Sequence, residues 1–117
     1  MIGDQQRPTV SKNPWSPNTT WIPTLLHEKL YETNFTVYEL RFLLYLSRET
    51  HGCGRSVSAL NLRHVAEQAN IHKNSLYRVI NKLIEDTIIF RKDIDADEQI
   101  YGFVKDTSQW QRKTYDD

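Results

Sequence analysis

The sequence has 117 residues with fifteen basic and fifteen acidic side chains, so its formal net charge at pH 7 is zero. This length fits one compact domain, and the neutral balance excludes a uniformly basic coat for nucleic acid. A single cysteine excludes an internal disulfide framework, and no apolar run approaches the roughly 20 residues that a bilayer-spanning helix needs. We therefore expect a soluble intracellular protein.

Three segments are predicted along the chain. Residues 1–20 lack periodicity and contain three prolines, which indicates a flexible N-terminal arm. Residues 21–110 form the predicted domain, and residues 111–117 form a C-terminal tail. The domain begins with a short helix from Pro23, for which we expect an apolar side made of Leu25, Leu26 and Leu30.

A second helix is predicted from about Val37 to Thr50. Thr36 and Glu39 have the spacing of a capping box, which marks its start. Its apolar residues, which are Leu40, Leu43 and Leu44 on one face and Phe42, Tyr45 and Leu46 opposite, predict burial on more than one flank. We expect Gly52 to end the helix in the left-handed conformation.

A helix-turn-helix pattern follows a predicted short strand in SVSAL. Asn61 is a good N-cap for a two-turn helix, Asn70 tolerates a left-handed turn, and Ile71 can anchor that turn in the core. The next helix lies within residues 69–86 and has an apolar face and a polar, basic face. Two short helices joined by three or four residues make a helix-turn-helix.

The segment after this helix predicts a hairpin, with strands from Ile88 to about Lys92 and from Ile100 to Val104. A hairpin directly after the second helix of a helix-turn-helix is a wing. We predict a mainly α fold with a small β wing, a winged helix-turn-helix. The acidic loop DIDADEQI lacks the glycine and the final glutamate of a calcium loop, which indicates a solvated hairpin tip or a protein contact.

The polar face of the second helix is the candidate DNA contact. Between Arg55 and Lys92 there are seven basic and three acidic residues, whereas the balance reverses from Asp93 onward. In a helix-turn-helix the second helix lies in the major groove, where Arg bonds guanine and Asn bonds adenine. We assign Asn74, Arg78 and Asn81 to bases, with Tyr77 on their flank, and Lys73, Ser75 and Lys82 to phosphates. Arg63 and Arg91 complete the predicted DNA-binding set.

The sequence gives little support for a metal site or a catalytic site. His51, Cys53, His64 and His72 lack the ligand spacing of a structural zinc site. No phosphate-binding glycine loop, nucleophile elbow or H-E-x-x-H motif occurs. We therefore predict no enzymatic activity, no cofactor and no metal.

The chain resembles the N-terminal origin-binding domain of lambda-type phage replication initiators, the O protein family. The resemblance spans roughly residues 20–110 and includes TWIPTLLHEKLYETNFTVYELRFLLYLSRETHGCG and YGFVKDTSQW. The resemblance rests on the turn after the leucine-rich helix, formed by Arg48, Thr50, His51 and Gly52, and on a closing block of Gly102, Lys105, Ser108 and Trp110. One departure is Thr87, where many winged helices have glycine.

The resemblance implies that the protein binds repeated sites at a phage origin as a dimer, in the cytoplasm of a bacterial host cell. It also implies contact with helicase-loading machinery through regions absent from this chain. We expect sequence-specific binding of double-stranded DNA, with origin recognition as its role and a homodimer as its assembly. The alternatives are a small winged-helix transcriptional regulator and a winged helix that acts only in protein association.

Overall fold

A computed structural model describes residues 22–94 and 99–113 of the chain. These residues contain four α-helices and a three-stranded antiparallel sheet. In chain order the elements are α1 (Thr24–Glu32), α2 (Val37–Glu49), β1 (Val57–Leu60), α3 (Leu62–Ala69), α4 (Lys73–Glu85), β2 (Ile89–Asp93) and β3 (Gln99–Phe103), with 3-10 helices at His51–Cys53 and Thr107–Gln109. The arrangement is a winged helix-turn-helix, which confirms the predicted fold class.

The whole predicted N-terminal arm, the acidic wing tip at 95–98 and residues 114–117 of the tail lie outside the described residues. The beginning of that tail is described, and it packs on the domain. The Gln111 amide donates a hydrogen bond to the Asp86 carbonyl at 2.7 Å, and the Lys113 carbonyl accepts one from the Asn34 amide at 3.0 Å.

Helix α2 is the centre of the core. Its capping box is present as predicted, because the Thr36 amide donates to Glu39 Oε1 at 2.8 Å and the Glu39 amide donates to Thr36 Oγ1 at 3.1 Å. Phe42 and Leu43 are fully buried, as is Leu46 one turn on, so the helix is enclosed on more than one flank. Burying each such side chain stabilises the fold by about 1.5–3 kcal/mol.

The helix-turn-helix forms as the sequence predicts. Asn61 caps α3, since its Oδ1 accepts from the His64 amide at 3.2 Å. Asn70 has a φ of 55° and closes α3 in the left-handed conformation, and Ile71 is buried directly after it. The turn therefore fixes where α4 begins relative to α3.

Three residue-level predictions were wrong. The left-handed glycine after α2 is Gly54, with a φ of 75°, and not Gly52, because the chain continues through a 3-10 turn before it reverses. Leu25 is 74 % exposed, because Leu26 and Leu30 occupy the buried side of α1 four residues apart. Leu44 is 46 % exposed, because the buried apolar side of α2 is formed by Phe42, Leu43 and Leu46.

The sheet has the strand order β1-β3-β2, so β3 joins the short strand to the wing. Gly102 of β3 pairs with Phe90 of β2 and Val57 of β1. A Cβ atom at this position would lie 2.7 Å from the Phe90 ring and 2.9 Å from the Ser56 carbonyl oxygen. Glycine is therefore required for the close approach of the three segments.

The turn from α4 into the wing contains Thr87, which has a φ of 59°. A β-branched residue is unfavourable in this left-handed region, since Cβ crowds the following carbonyl oxygen at a cost of about 1–2 kcal/mol. The Thr87 amide donates to the Ile84 carbonyl at 3.0 Å, which holds the turn closed. The threonine that stands where many winged helices have glycine therefore occupies a strained backbone position.

Candidate nucleic-acid interface

Helix α4 divides into a buried face and an exposed polar face. Leu76, Val79, Ile80 and Leu83 are buried in the core. The opposite side of the helix carries the predicted DNA-binding residues, of which Ser75 is half-buried and the others are exposed: Lys73, Asn74, Tyr77, Arg78, Asn81 and Lys82. The structure therefore brings seven of the nine predicted residues together on one helix.

The N-terminal end of α4 is capped by His72, whose Nδ1 accepts a hydrogen bond from the Asn74 amide at 3.2 Å. The turn between α3 and α4 is held by α2, because Arg41 Nη1 donates to the Asn70 carbonyl at 3.2 Å. Arg41 also lies over the Tyr38 ring, with its Cζ 5.6 Å from the ring centroid. The sequence offered no signal for this arginine at the turn.

The two remaining predicted residues lie on other elements. Arg63 is exposed in the first turn of α3. Arg91 is in β2, two residues after the buried Ile89, so it lies on the same face of the strand as the core-facing side chains. Arg91 is paired across the sheet with Tyr101. The wing thus places one basic side chain on the core-facing side of the sheet.

The basic residues differ in their acidic neighbours. Lys82 Nζ lies 3.6 Å from Glu85 Oε1 and 3.4 Å from Asp86 Oδ1. Arg91 Nε lies 3.8 Å from Asp93 Oδ1. Within residues 22–94 and 99–113, Lys73, Arg78 and Arg63 form no ion pair. Both Lys73 and Arg78 are exposed to solvent.

An ionic cluster around Arg112 lies at the other end of α4. The guanidinium of Arg112 donates to Glu39 Oε1 at 2.8 Å and to Glu39 Oε2 at 3.0 Å. It also donates to Asp86 Oδ2 at 2.7 and 2.9 Å and to the Asn34 carbonyl at 3.0 Å. The Phe35 ring covers it at 5.3 Å from Cζ to the centroid. Arg112 therefore joins α2, the end of α4 and the C-terminal segment.

The cluster shifts the acid–base behaviour of its members. Burial alone raises the pKa of Glu39, but hydrogen bonds from Arg112 and Thr36, together with the charge of Arg112, outweigh burial and hold that pKa below its ordinary value of 4.5. The hydrogen bond to Glu39 raises the pKa of Arg112, against the effect of burial. Both groups are therefore charged in the folded protein at neutral pH.

The histidine and cysteine residues considered for zinc have other environments. His72 caps α4, and His51 and Cys53 belong to the 3-10 turn after α2. Burial, followed by the charge of Lys105, lowers the pKa of His51. In the described part of the chain, no group of three or more His, Cys, Asp or Glu side chains could hold a metal ion.

The family described as bacteriophage replication protein O matches residues 19–110. The chain belongs to this family. No curated protein and no solved structure gives a match.

Family membership supports a role in the initiation of phage DNA replication. The matched residues include the helix-turn-helix and the wing, and they end at Trp110, whose indole Nε1 donates to the Val104 carbonyl at 3.0 Å. The match to the replication protein family therefore covers the whole candidate interface, whereas Arg112 lies just beyond it. No helix of the described residues is both long and apolar enough to cross a membrane.

Proposed function

We propose that this domain binds double-stranded DNA in a sequence-specific manner and recognises the origin in phage replication initiation. The observation that carries the proposal is the exposed polar face of α4, where Lys73 and Arg78 have no acidic partner among the described residues. A helix-turn-helix inserts this helix into the major groove. Membership in a phage replication family favours the origin over a promoter as the target.

The contacts on α4 divide into two kinds. Asn74, Arg78 and Asn81 present groups that hydrogen-bond base edges, with Tyr77 beside them. Lys73 and Ser75 near the start of the helix, and Arg63 on α3, suit backbone phosphates. Lys82 must leave Glu85 and Asp86 to bind a phosphate, so its contribution is expected to be smaller than that of Lys73.

Binding-site selection combined with salt titration tests this division. Arg78→Ala is expected to cost about 1–3 kcal/mol of binding free energy and to relax the preference at one base pair, whereas Lys73→Ala weakens all sequences alike and lowers the salt slope by about one. Arg48→Ala is the matched control, because it removes an exposed arginine from α2 outside the proposed interface.

Two outcomes would contradict the proposal. If wild type binds no duplex at low ionic strength, the fold serves protein association instead. If wild type, Arg78→Ala and Asn74→Ala select identical sequences, α4 does not contact bases specifically and the interface is only electrostatic.

We further propose that the domain pairs on DNA as a homodimer. An apolar groove of about 120 Å³ lies between α1 and α2, lined by His27, Leu30, Tyr31, Leu40 and Leu44. Tyr31 at its rim is 62 % exposed. Symmetric pairing of this surface matches the two-fold symmetry of a palindromic site. Sedimentation of the domain saturated with such a site is expected to show two protomers per duplex, and a single protomer would refute pairing.

A further inference from the structure

Arg41 of α2 is an exposed basic residue that lies outside the predicted DNA-binding set. Its Nη1 donates at 3.2 Å to the carbonyl of Asn70, the residue that closes α3. Lys73, the first residue of α4, follows Asn70 in the chain, and a stretch of three residues spans at most about 11 Å. The Arg41 guanidinium therefore lies beside the turn of the helix-turn-helix, near the end at which α4 begins.

The guanidinium of Arg41 is oriented from two sides. One side is the Asn70 carbonyl, and the other is the ring of Tyr38, one turn earlier on α2. Arg41 Cζ lies 5.6 Å from the centroid of this ring, which is within the distance of about 6 Å at which an arginine is attracted to an aromatic face. An arginine loses conformational freedom when it binds a ligand, and one that is already oriented loses less.

The surroundings of Arg41 differ from those of Arg112. The Arg112 guanidinium donates to the carboxylates of Glu39 and Asp86. Within residues 22–94 and 99–113, no ion pair includes Arg41. A guanidinium carries several N–H donors, and the hydrogen bond from Arg41 to Asn70 uses Nη1 and a neutral acceptor. Arg41 is therefore an oriented cation whose described contacts leave its charge unneutralised.

We propose that Arg41 is a further DNA-contacting residue, which binds a backbone phosphate beside the turn of the helix-turn-helix. The proposal rests on the DNA-binding function proposed above. In this motif the second helix enters the major groove and the first crosses the backbone, so the turn between them lies next to phosphates at the groove edge. Arginine binds phosphate through paired N–H groups. Arg41 thus adds a contact from α2 to those proposed for Lys73 on α4 and Arg63 on α3.

Salt titration of duplex binding by three variants of Arg41 tests the contact. Arg41→Ala is expected to weaken all sequences alike, by about fivefold at about 0.15 M salt, and to lower the salt slope by about one, because one fewer counterion is released. Arg41→Gln keeps a polar side chain with an N–H donor but no charge, and should lower the slope equally. Arg41→Lys keeps the charge and should retain the wild-type slope.

Arg48→Ala is the matched control, because Arg48 is also exposed and lies on the same side of α2, two turns or about 10 Å along the helix. It is expected to leave affinity and salt slope unchanged. Urea unfolding of each variant ensures that the affinities compare folded protein.

A purely structural role of Arg41 in the turn would give a different result. The neutral variants would then bind more weakly or select other sequences while the salt slope stayed at the wild-type value, and this outcome would overturn the phosphate contact. An equal fall in slope for Arg41→Ala and Arg48→Ala would also overturn it, since the effect would follow total charge and not position. Absence of DNA binding by wild type would instead overturn the proposed function itself.

Discussion

The two ends of α4 use charged side chains in opposite ways. In the N-terminal half, Lys73 and Arg78 are exposed and form no ion pair among the described residues. At the C-terminal end, Asp86 is 8 % exposed and accepts two hydrogen bonds from Arg112. One end is open to a ligand, while the other is held to the domain.

The charged side chains at the two ends of α4 differ in their solvation and not in their residue type. The Arg112 side chain is 15 % exposed, and its two carboxylate partners are less exposed still. Removing one member of a buried ion pair leaves its partners charged and desolvated, which is costly. Arg78 is exposed and has no acidic partner among the described residues, so its loss is expected to leave the fold intact and, if the proposed function holds, to weaken DNA binding. An arginine is therefore structural or functional according to what surrounds it.

The largest expected effect is at the held end. Arg112→Ala should lower the free energy of unfolding by about 3 kcal/mol, because Glu39 and Asp86 lose their shared cation. Arg78→Ala should change it by less than about 0.5 kcal/mol. Urea unfolding at neutral pH measures both values.

Lys113→Ala is the matched control for Arg112→Ala, since Lys113 is exposed and contributes a backbone carbonyl to Asn34. This variant should unfold like wild type. If Arg112→Ala and Arg78→Ala lowered the free energy of unfolding equally, the distinction between the two ends of α4 would be wrong.

The second-largest expected effect is a pH-dependent change in the free energy of unfolding. Because folding lowers the pKa of Glu39 below 4.5, its ionised form favours the folded state. Its contribution is fully present above the unfolded pKa and is lost as pH falls through the lower folded pKa. At pH 7, Glu39→Gln should lower the free energy of unfolding by about 2 kcal/mol, since hydrogen bonds to charged groups are lost.

The difference between wild type and Glu39→Gln should narrow as unfolding is measured from pH 7 towards pH 3. Glu85→Gln is the control, because Glu85 has an exposed side chain at the end of α4 and is expected to give a curve parallel to wild type. A constant difference between wild type and Glu39→Gln would show that ionisation of Glu39 does not stabilise the fold.

The smallest expected effect concerns the strained turn beside Asp86. Thr87→Gly removes Cβ from a left-handed residue and should stabilise the domain by about 1 kcal/mol, after the larger backbone entropy of glycine in the unfolded chain is subtracted. Thermal unfolding measures the change. Thr87→Ala keeps Cβ and should show little gain, and a loss of stability in Thr87→Gly would mean that the threonine side chain supports the turn.

The sequence predicted the elements whose causes are local. The capping box of Thr36 and Glu39, the Asn61 cap and the left-handed Asn70 each depend on residues a few positions apart. Helical periodicity was likewise sufficient to separate the buried and polar faces of α4, because 3.6 residues per turn bring positions three and four apart together. These features led to the winged helix-turn-helix and to the DNA-binding set, whose role remains a prediction.

Only the tertiary structure decided which charged groups meet. Arg112 lies 73 residues from Glu39 and 26 from Asp86, and no periodic pattern connects such distant positions. The pairing of Arg91 with Tyr101 depends on strand register, and the exposure of Leu25 depends on which side of α1 meets the core. Local pattern determines how each segment folds, whereas the environment of a side chain is set by the segments that pack against it.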